Sequence, residues 1–174
     1  MVGNRTRGIA IMTIIAAKRD GKCCAVGGDS GGFDGDLVVL GTEPKVWKIG
    51  STLFGGCGTW RSIEVAKKSG ITDPFKLRDY MAEQQHLPDE WSVLVVTPKS
   101  IHEIAEDFSV VTYRDSYCAI GSGSSVAYGA LVHSVSDPKT AVQQALKATE
   151  RHSITCRAPF VVLTIGNPAP VVVA

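Results

Sequence analysis

Thr13 is followed by an aspartate sixteen residues on, Asp29, and by a lysine thirty-two residues on, Lys45. A hydroxyl is a poor nucleophile at its free pKa and needs an adjacent base. A threonine that begins a chain supplies that base through its own α-amine, whose unperturbed pKa is about 8. A neighbouring lysine holds such an amine neutral and lowers the pKa of the hydroxyl, and a carboxylate orients the lysine. The three residue types therefore fit nucleophilic acyl transfer by a threonine at the start of a chain. Taken singly each is bland. Threonine is a common strand residue, Asp29 suits a loop, and Lys45, in Pro44-Lys45-Val46-Trp47-Lys48, suits a solvated strand with Lys48 as its competitor.

Further segments invite chemistry. Leu53-Phe54-Gly55-Gly56-Cys57-Gly58-Thr59 precedes a helical period. Glycines there let the backbone approach a substrate and leave N–H groups free for charge that develops in a tetrahedral intermediate. The bland alternative is a tight turn leading into the helix. Ala119-Ile120-Gly121-Ser122-Gly123-Ser124-Ser125 looks at first like a phosphate cradle, but no Gly-Lys-Ser/Thr ending and no G-x-G-x-x-G is present. Gly28-Asp29-Ser30-Gly31-Gly32 matches the pentapeptide around the nucleophile of chymotrypsin-type proteases. That chemistry needs a histidine and a buried aspartate from upstream strands. Here His86, His102, His133 and His152 all lie downstream, and Phe33 stands where proline is expected. Ser30 is therefore read as a loop neighbour of Asp29.

The elements that must position these residues alternate in blocks. Thr13 to Lys18 and Cys23 to Gly28 read as a hairpin closed by the two-residue turn Asp20-Gly21. Asp36 to Leu40, Val46 to Ile49 and Thr52 to Phe54 are further short strands. Helical spacing then runs from Thr59 to Lys68, and Asp73-Pro74 opens a second helix as N-cap and N1. Strands return at Trp91 to Val96, Ile101 to Ala105, Ser109 to Tyr113 and Tyr117 to Ile120. Ser122 to Val135 and Asp137 to Arg151 are two more helices, and Phe160 to Ile165 and Val171 to Val173 close the chain as strands. Strand blocks separated by helix pairs predict an α+β fold with two antiparallel sheets between helix layers.

At 174 residues, with 44% apolar and 20% charged residues, the chain is one domain of ordinary globular composition. A net charge of +1, with no basic stripe, argues for no nucleic-acid partner. Cys23, Cys24, Cys57, Cys118 and Cys156 show no metal spacing and suit a reducing cytoplasm. The run from Gly8 to Ala17 is too short for a membrane helix. Arg5 and Arg7 before it suggest a signal peptide, but Lys18-Arg19-Asp20 stands where a cleavage site belongs.

Met12-Thr13-Ile14-Ile15-Ala16-Ala17-Lys18-Arg19-Asp20-Gly21-Lys22, then Gly28-Asp29, then Pro44-Lys45-Val46, resembles the start of a proteasome β-type subunit, nearest to the HslV-like peptidases of the N-terminal nucleophile (Ntn) hydrolase family. Counting from Thr13 reproduces both family spacings, and counting from Met12 reproduces neither. The match spans about residues 12–165. It implies a four-layer αββα sandwich over 13–174, preceded by an extension or propeptide over 1–12. It also implies a threonine endopeptidase, active once Thr13 is exposed as the first residue. In that assignment Thr13 attacks the scissile carbonyl, Lys45 tunes the amine and Asp29 holds Lys45. Gly56, with Gly55 second, supplies the oxyanion donor, and Ser122 of the Gly-Ser-Gly segment bonds near the amine. No metal or organic cofactor is needed. The implied partners are peptide or unfolded-protein substrates, further copies in stacked rings and an ATP-dependent unfoldase, in the cytoplasm. A non-proteolytic amidase of the same fold and an inactive ring subunit are the alternatives. Two departures stand out. Met12 replaces the glycine that usually precedes the threonine, which fits either a true start at Met12 or a propeptide. No aspartate lies in Arg151-His152-Ser153-Ile154-Thr155, where eukaryotic-type subunits carry a supporting Asp and Ser, leaving His152 or Thr155 as substitutes.

Overall fold

The computed structural model describes residues 10–11, 13–34, 37–40, 43–85 and 87–166. In chain order the elements are β1 (Ala10–Ile11), β2 (Ile14–Arg19), β3 (Cys24–Gly28), β4 (Gly31–Asp34), β5 (Leu37–Leu40), β6 (Val46–Ile49) and β7 (Thr52–Thr59). Helices α1 (Trp60–Ser69) and α2 (Pro74–Ala82) follow. Then come β8 (Ser92–Val96), β9 (Ile101–Ala105), β10 (Val110–Thr112), β11 (Tyr117–Gly121), α3 (Ser124–Val132), α4 (Pro138–His152) and β12 (Val161–Ile165).

Strand pairing divides them into two antiparallel sheets. One runs β10-β9-β8-β7-β1-β4-β5, with β6 also paired to β7; the other runs β11-β2-β3-β12. Side-chain alternation along β2 shows how the layers form. Ile15 and Ala17 point into a core shared with Val26, Leu53, Leu94 and Ile120, between the sheets. Ile14 and Ala16 point the other way, against Ala127, Leu131, Val142 and Leu146 of α3 and α4. A third core packs Phe54, Trp91, Val93 and Ile104 against Ile63 and Leu77 of α1 and α2. Because β2 is covered on both faces, its first four residues, Ile14 to Ala17, are continuously apolar rather than alternating. Each such isoleucine contributes about 1.5–3 kcal/mol of burial. The expected αββα sandwich is the observed architecture.

Local chemistry sets the helix starts. Asp73 accepts hydrogen bonds from the N–H groups of Phe75 and Lys76 at 3.0 and 2.9 Å, and Asp137 from those of Lys139 and Thr140 at 3.0 and 3.1 Å. Each cap satisfies amides that the first helical turn leaves open. Thr59 caps α1, whose end is marked by Gly70 in the left-handed region.

Several boundaries differ from expectation, for physical reasons. The β2–β3 hairpin closes with Arg19 opposite Cys24. Its loop is longer than Asp20-Gly21 because the Asp20 carboxylate draws in the amides of Lys22 and Cys23. Strand β7 does not stop at Phe54 but runs through the glycines to Thr59. A methyl group on Gly56 would lie 2.7 Å from Ile63, so glycine there lets α1 pack directly on the strand. β4 was not foreseen; its glycines hide the strand pattern. Helix α3 begins at Ser124 and ends at Val132, short of the expected span at both ends. The strand expected at Val171 to Val173 falls outside the described residues, as do residues 1–9 of the expected extension.

Candidate active site

The Asp29 carboxylate is a hub. Its Oδ1 accepts from the Ile14 amide at 3.2 Å and from Lys45 Nζ at 2.9 Å. Its Oδ2 accepts from the amides of Gly31 at 3.0 Å and Arg157 at 3.3 Å. Both side chains of the Lys45–Asp29 pair are 0% exposed. Lys45 also donates to the Gly31 carbonyl. An ion pair this deep survives only when its remaining donors and acceptors are satisfied, and here three backbone amides and a carbonyl do so. Burial pushes the Lys45 ammonium below the ordinary lysine value, with the Asp29 charge opposing that shift. Cys57 and Cys156 lie in the same surroundings, and burial pushes both thiols up to about 12, so neither ionises near neutral pH.

Thr13 stands at the head of β2, beside the amide that Asp29 anchors. It is 1% exposed, and its Oγ1 is buried without a hydrogen-bond partner among the described residues. Leaving a buried hydroxyl unpaired is costly. At this position it leaves the oxygen's lone pairs uncommitted.

On the other side of Thr13 is the end of β11. Gly121 pairs with Ile14, so Ser122 follows one residue beyond the last ladder pair. Gly121 has φ +94°, and a methyl group there would lie 1.9 Å from the Thr13 carbonyl oxygen. Only glycine permits that approach. Ser122 donates from Oγ to Thr155 Oγ1 at 2.8 Å, and Thr155 Oγ1 is 2.7 Å from Ser153 Oγ. Of the two substitutes foreseen for the missing aspartate, Thr155 joins this chain, whereas His152 ends α4 and is exposed. Ser153 lies in the segment singled out in the sequence, though no role is assigned to it there. A hydroxyl two residues from another is a faint signal, visible only once the turn after α4 is known.

Gly56 does not lie in a loop before a helix. It is a strand residue, and its N–H donates to the Lys45 carbonyl at 2.9 Å. Gly55, the second choice, likewise lies inside β7, opposite Val46. The strand-to-helix reading of these glycines is corrected accordingly. The backbone of Ala10–Ile11 lies further along the same strand, with Ile11 opposite Gly58 and Ala10 between Thr59 and Phe33. Ala10–Ile11 thus forms a short strand between β4 and β7, ending two residues before Thr13. Ser30 donates from Oγ to the Pro159 carbonyl at 2.7 Å. Among the described residues no histidine bonds to it. Nor do any three His, Cys, Asp or Glu side chains gather to hold a metal there.

No family description matches the sequence, and no curated relative matches it. Solved structures do match. The BPH protein of Thiobacillus denitrificans, solved in complex with epoxomicin, superimposes with a TM-score of 0.74 at 16% identity, over 88% of this chain and 98% of that one. The eukaryotic HslV of Trypanosoma brucei gives 0.73 at 18% identity, over 88% and 99%. A second structure of the Thiobacillus protein gives 0.71 at 18% identity, over 88% and 97%. The chain has the proteasome-like Ntn hydrolase fold.

Proposed function

We propose that this chain is a threonine peptidase whose nucleophile is Thr13, acting once Thr13 is the first residue. The observation that carries the reading is the uncommitted, buried Thr13 Oγ1, set next to an amide that shares one carboxylate oxygen with Lys45. The hydroxyl attacks the scissile carbonyl while the free α-amine accepts its proton. An acyl-enzyme ester forms, and water activated by the same amine hydrolyses it. The Lys45 charge disfavours protonation of the amine, and Asp29 fixes where that charge sits. Gly56 serves as oxyanion donor only by giving up its bond to the Lys45 carbonyl.

The slot between β4 and β7 supports an extended peptide as substrate. Ala10–Ile11 already adds a strand there, and another peptide would do so through the same main-chain bonds. The occupied slot also favours a second reading for the chain that retains residues 1–12, a latent subunit. There the Thr13 nitrogen is an amide and cannot act as a base. The five cysteines, all free and buried, support a cytoplasmic setting. Assembly into stacked rings, and service by an ATP-driven unfoldase, rest on the family resemblance.

The test is hydrolysis of unfolded protein and short peptides by the chain beginning at Thr13, beside the chain retaining residues 1–12 and a Thr13→Ala variant. The proposal expects activity in the first alone. Equal activity in Thr13→Ala overturns it.

A further inference from the structure

We infer that Arg157 is a positioning residue for the buried Lys45–Asp29 pair: its guanidinium, folded back onto carbonyls at the end of α4, fixes the backbone whose amide holds Asp29. Its effect on catalysis rests on the proposed Thr13 mechanism; its effect on the pair does not.

Every group of Arg157 touches either the surroundings of the pair or its own turn. The last ladder pair of β3 and β12 joins Gly28 to Val161. Beyond it the two chains stay clasped. The Arg157 amide donates to Asp29 Oδ2 at 3.3 Å, and its carbonyl accepts from the Ser30 amide at 3.2 Å. The Arg157 stem covers Gly31, where an added methyl group would lie 3.3 Å from Arg157 Cβ. Gly31 is the residue whose amide meets Asp29 and whose carbonyl takes Lys45. At the far end of the stem, Nη1 donates to the carbonyls of Ser153 and Cys156 at 3.4 and 2.9 Å.

The chemistry of that turn calls for a cation. Helix α4 ends at His152, and carbonyls at a helix end lack intrahelical donors and sit at the negative end of the dipole. A guanidinium suits two such oxygens, because its N–H groups lie in a fixed plane and its charge is permanent. Among the described residues no carboxylate lies within ion-pair distance of Arg157, so its charge serves the carbonyls. Bridging them fixes the chain from 153 to 157, and the Arg157 amide with it. That amide is one of two on Asp29 Oδ2, and the other, from Gly31, belongs to the loop that carries Asp29 itself. Without the Arg157 amide the carboxylate turns more freely and the Oδ1 bond to Lys45 is less defined. Water then gains access to a pair that is 0% exposed. Arg157 acts only through Asp29.

The experiment runs on two forms of the protein. In the full chain, NMR follows the titration of Lys45 and the hydrogen exchange of the amide at position 157, for wild type, Arg157→Met and Arg157→Lys. In the chain beginning at Thr13, peptide hydrolysis is measured against pH for the same three. Among the described residues, the three apolar cores draw on nothing before Ile14, so that shorter chain keeps them. Arg157→Met keeps the stem over Gly31 and removes the donors. Lys45 faces Asp29, Cys57 and Cys156, and burial holds its ammonium below the ordinary lysine value. With the clasp loosened that burial lessens, so Lys45 is expected to titrate at higher pH. The amide at 157 is expected to exchange about tenfold faster. The alkaline limb of hydrolysis should follow Lys45 upward, with kcat lowered about tenfold and KM within about twofold. Arg157→Lys, which keeps the charge but not the planar fork, should fall between. Should Arg157→Met not fold, Arg157→Lys carries the decision through the same shifts at smaller size. An unmoved Lys45 titration, or an amide at 157 that exchanges as in wild type, overturns the inference and leaves the Thr13 mechanism standing. No hydrolysis by the wild-type chain beginning at Thr13 overturns that mechanism, while the two NMR readouts still decide the role of Arg157.

Discussion

Two polar regions flank Thr13, and they are built on opposite principles. On one side Asp29 and Lys45 carry full charges at 0% exposure, and each carboxylate oxygen is met by backbone amides or the ammonium. On the other side Ser122, Thr155 and Ser153 carry no charge and are linked side chain to side chain near the surface. The charged region is fixed by main chain, so its geometry is stiff and its removal is expensive. The hydroxyl region is held by rotatable O–H groups, so its removal is cheap. Thr13 lies between them, and in the proposed mechanism the charged region supplies an electrostatic bias to its amine.

Substitutions sharpen that contrast. Thr13→Ala should abolish hydrolysis, a loss of a thousandfold or more of the kind seen on removing a catalytic nucleophile, while the melting temperature changes little, because relief of a buried hydroxyl unpartnered among the described residues offsets the lost packing of the buried methyl. Lys45→Met breaks the buried pair. It should cost about 3–5 kcal/mol of stability by denaturant titration. It should also remove most activity. Pairing it with Asp29→Asn should recover part of the stability, since the two sites couple. Ser122→Ala, on the neutral side, should lower kcat by about ten- to a hundredfold at under about 1 kcal/mol of stability. Equal stability losses for Lys45→Met and Ser122→Ala would erase the distinction between the two regions.

The pH dependence separates them again. Lys45 has a folded-state pKa below its unfolded value of 10.5. Between those two values the unfolded chain binds more protons, so this group makes stability rise with pH across that window. Activity should fall across the same window as the lysine loses the charge that tunes the amine. Stability and activity therefore move in opposite directions there, which parallel denaturation and rate profiles will show. In Lys45→Met the stability rise should vanish. Ser30→Ala, near the hub but outside the mechanism, should leave kcat within about twofold and cost about 1 kcal/mol through the lost bond to Pro159.

Much of this was legible in the sequence, and the division follows the same physics. Asp73-Pro74 and Asp137-Pro138 marked helix starts because capping is local chemistry. Thr13, Asp29 and Lys45 stood out through side-chain type and spacing. The structure ties Asp29 to Lys45 and to the amide after Thr13, while the roles proposed for the three still await experiment. Strand β7 was cut short because its glycines look like a loop until Ile15 and Ile63 are seen packed where side chains would be. The amides of Ile14, Gly31 and Arg157 carry no side-chain signal, so the hub around Asp29 was invisible. Gly56 shows the reverse error. A glycine beside a helical segment suggested a free donor, but the partner of its N–H depends on the register of β6 and β7, which long-range pairing decides.

The most direct measurement is the mass of the chain beginning at Thr13 after exposure to an epoxyketone, an electrophile that closes a ring only on a hydroxyl and an amine of the same residue. The account predicts one adduct per chain, mapped to Thr13, with loss of hydrolysis, and none in Thr13→Ala or in the chain retaining residues 1–12. An adduct elsewhere, or hydrolysis that survives in Thr13→Ala, would contradict it.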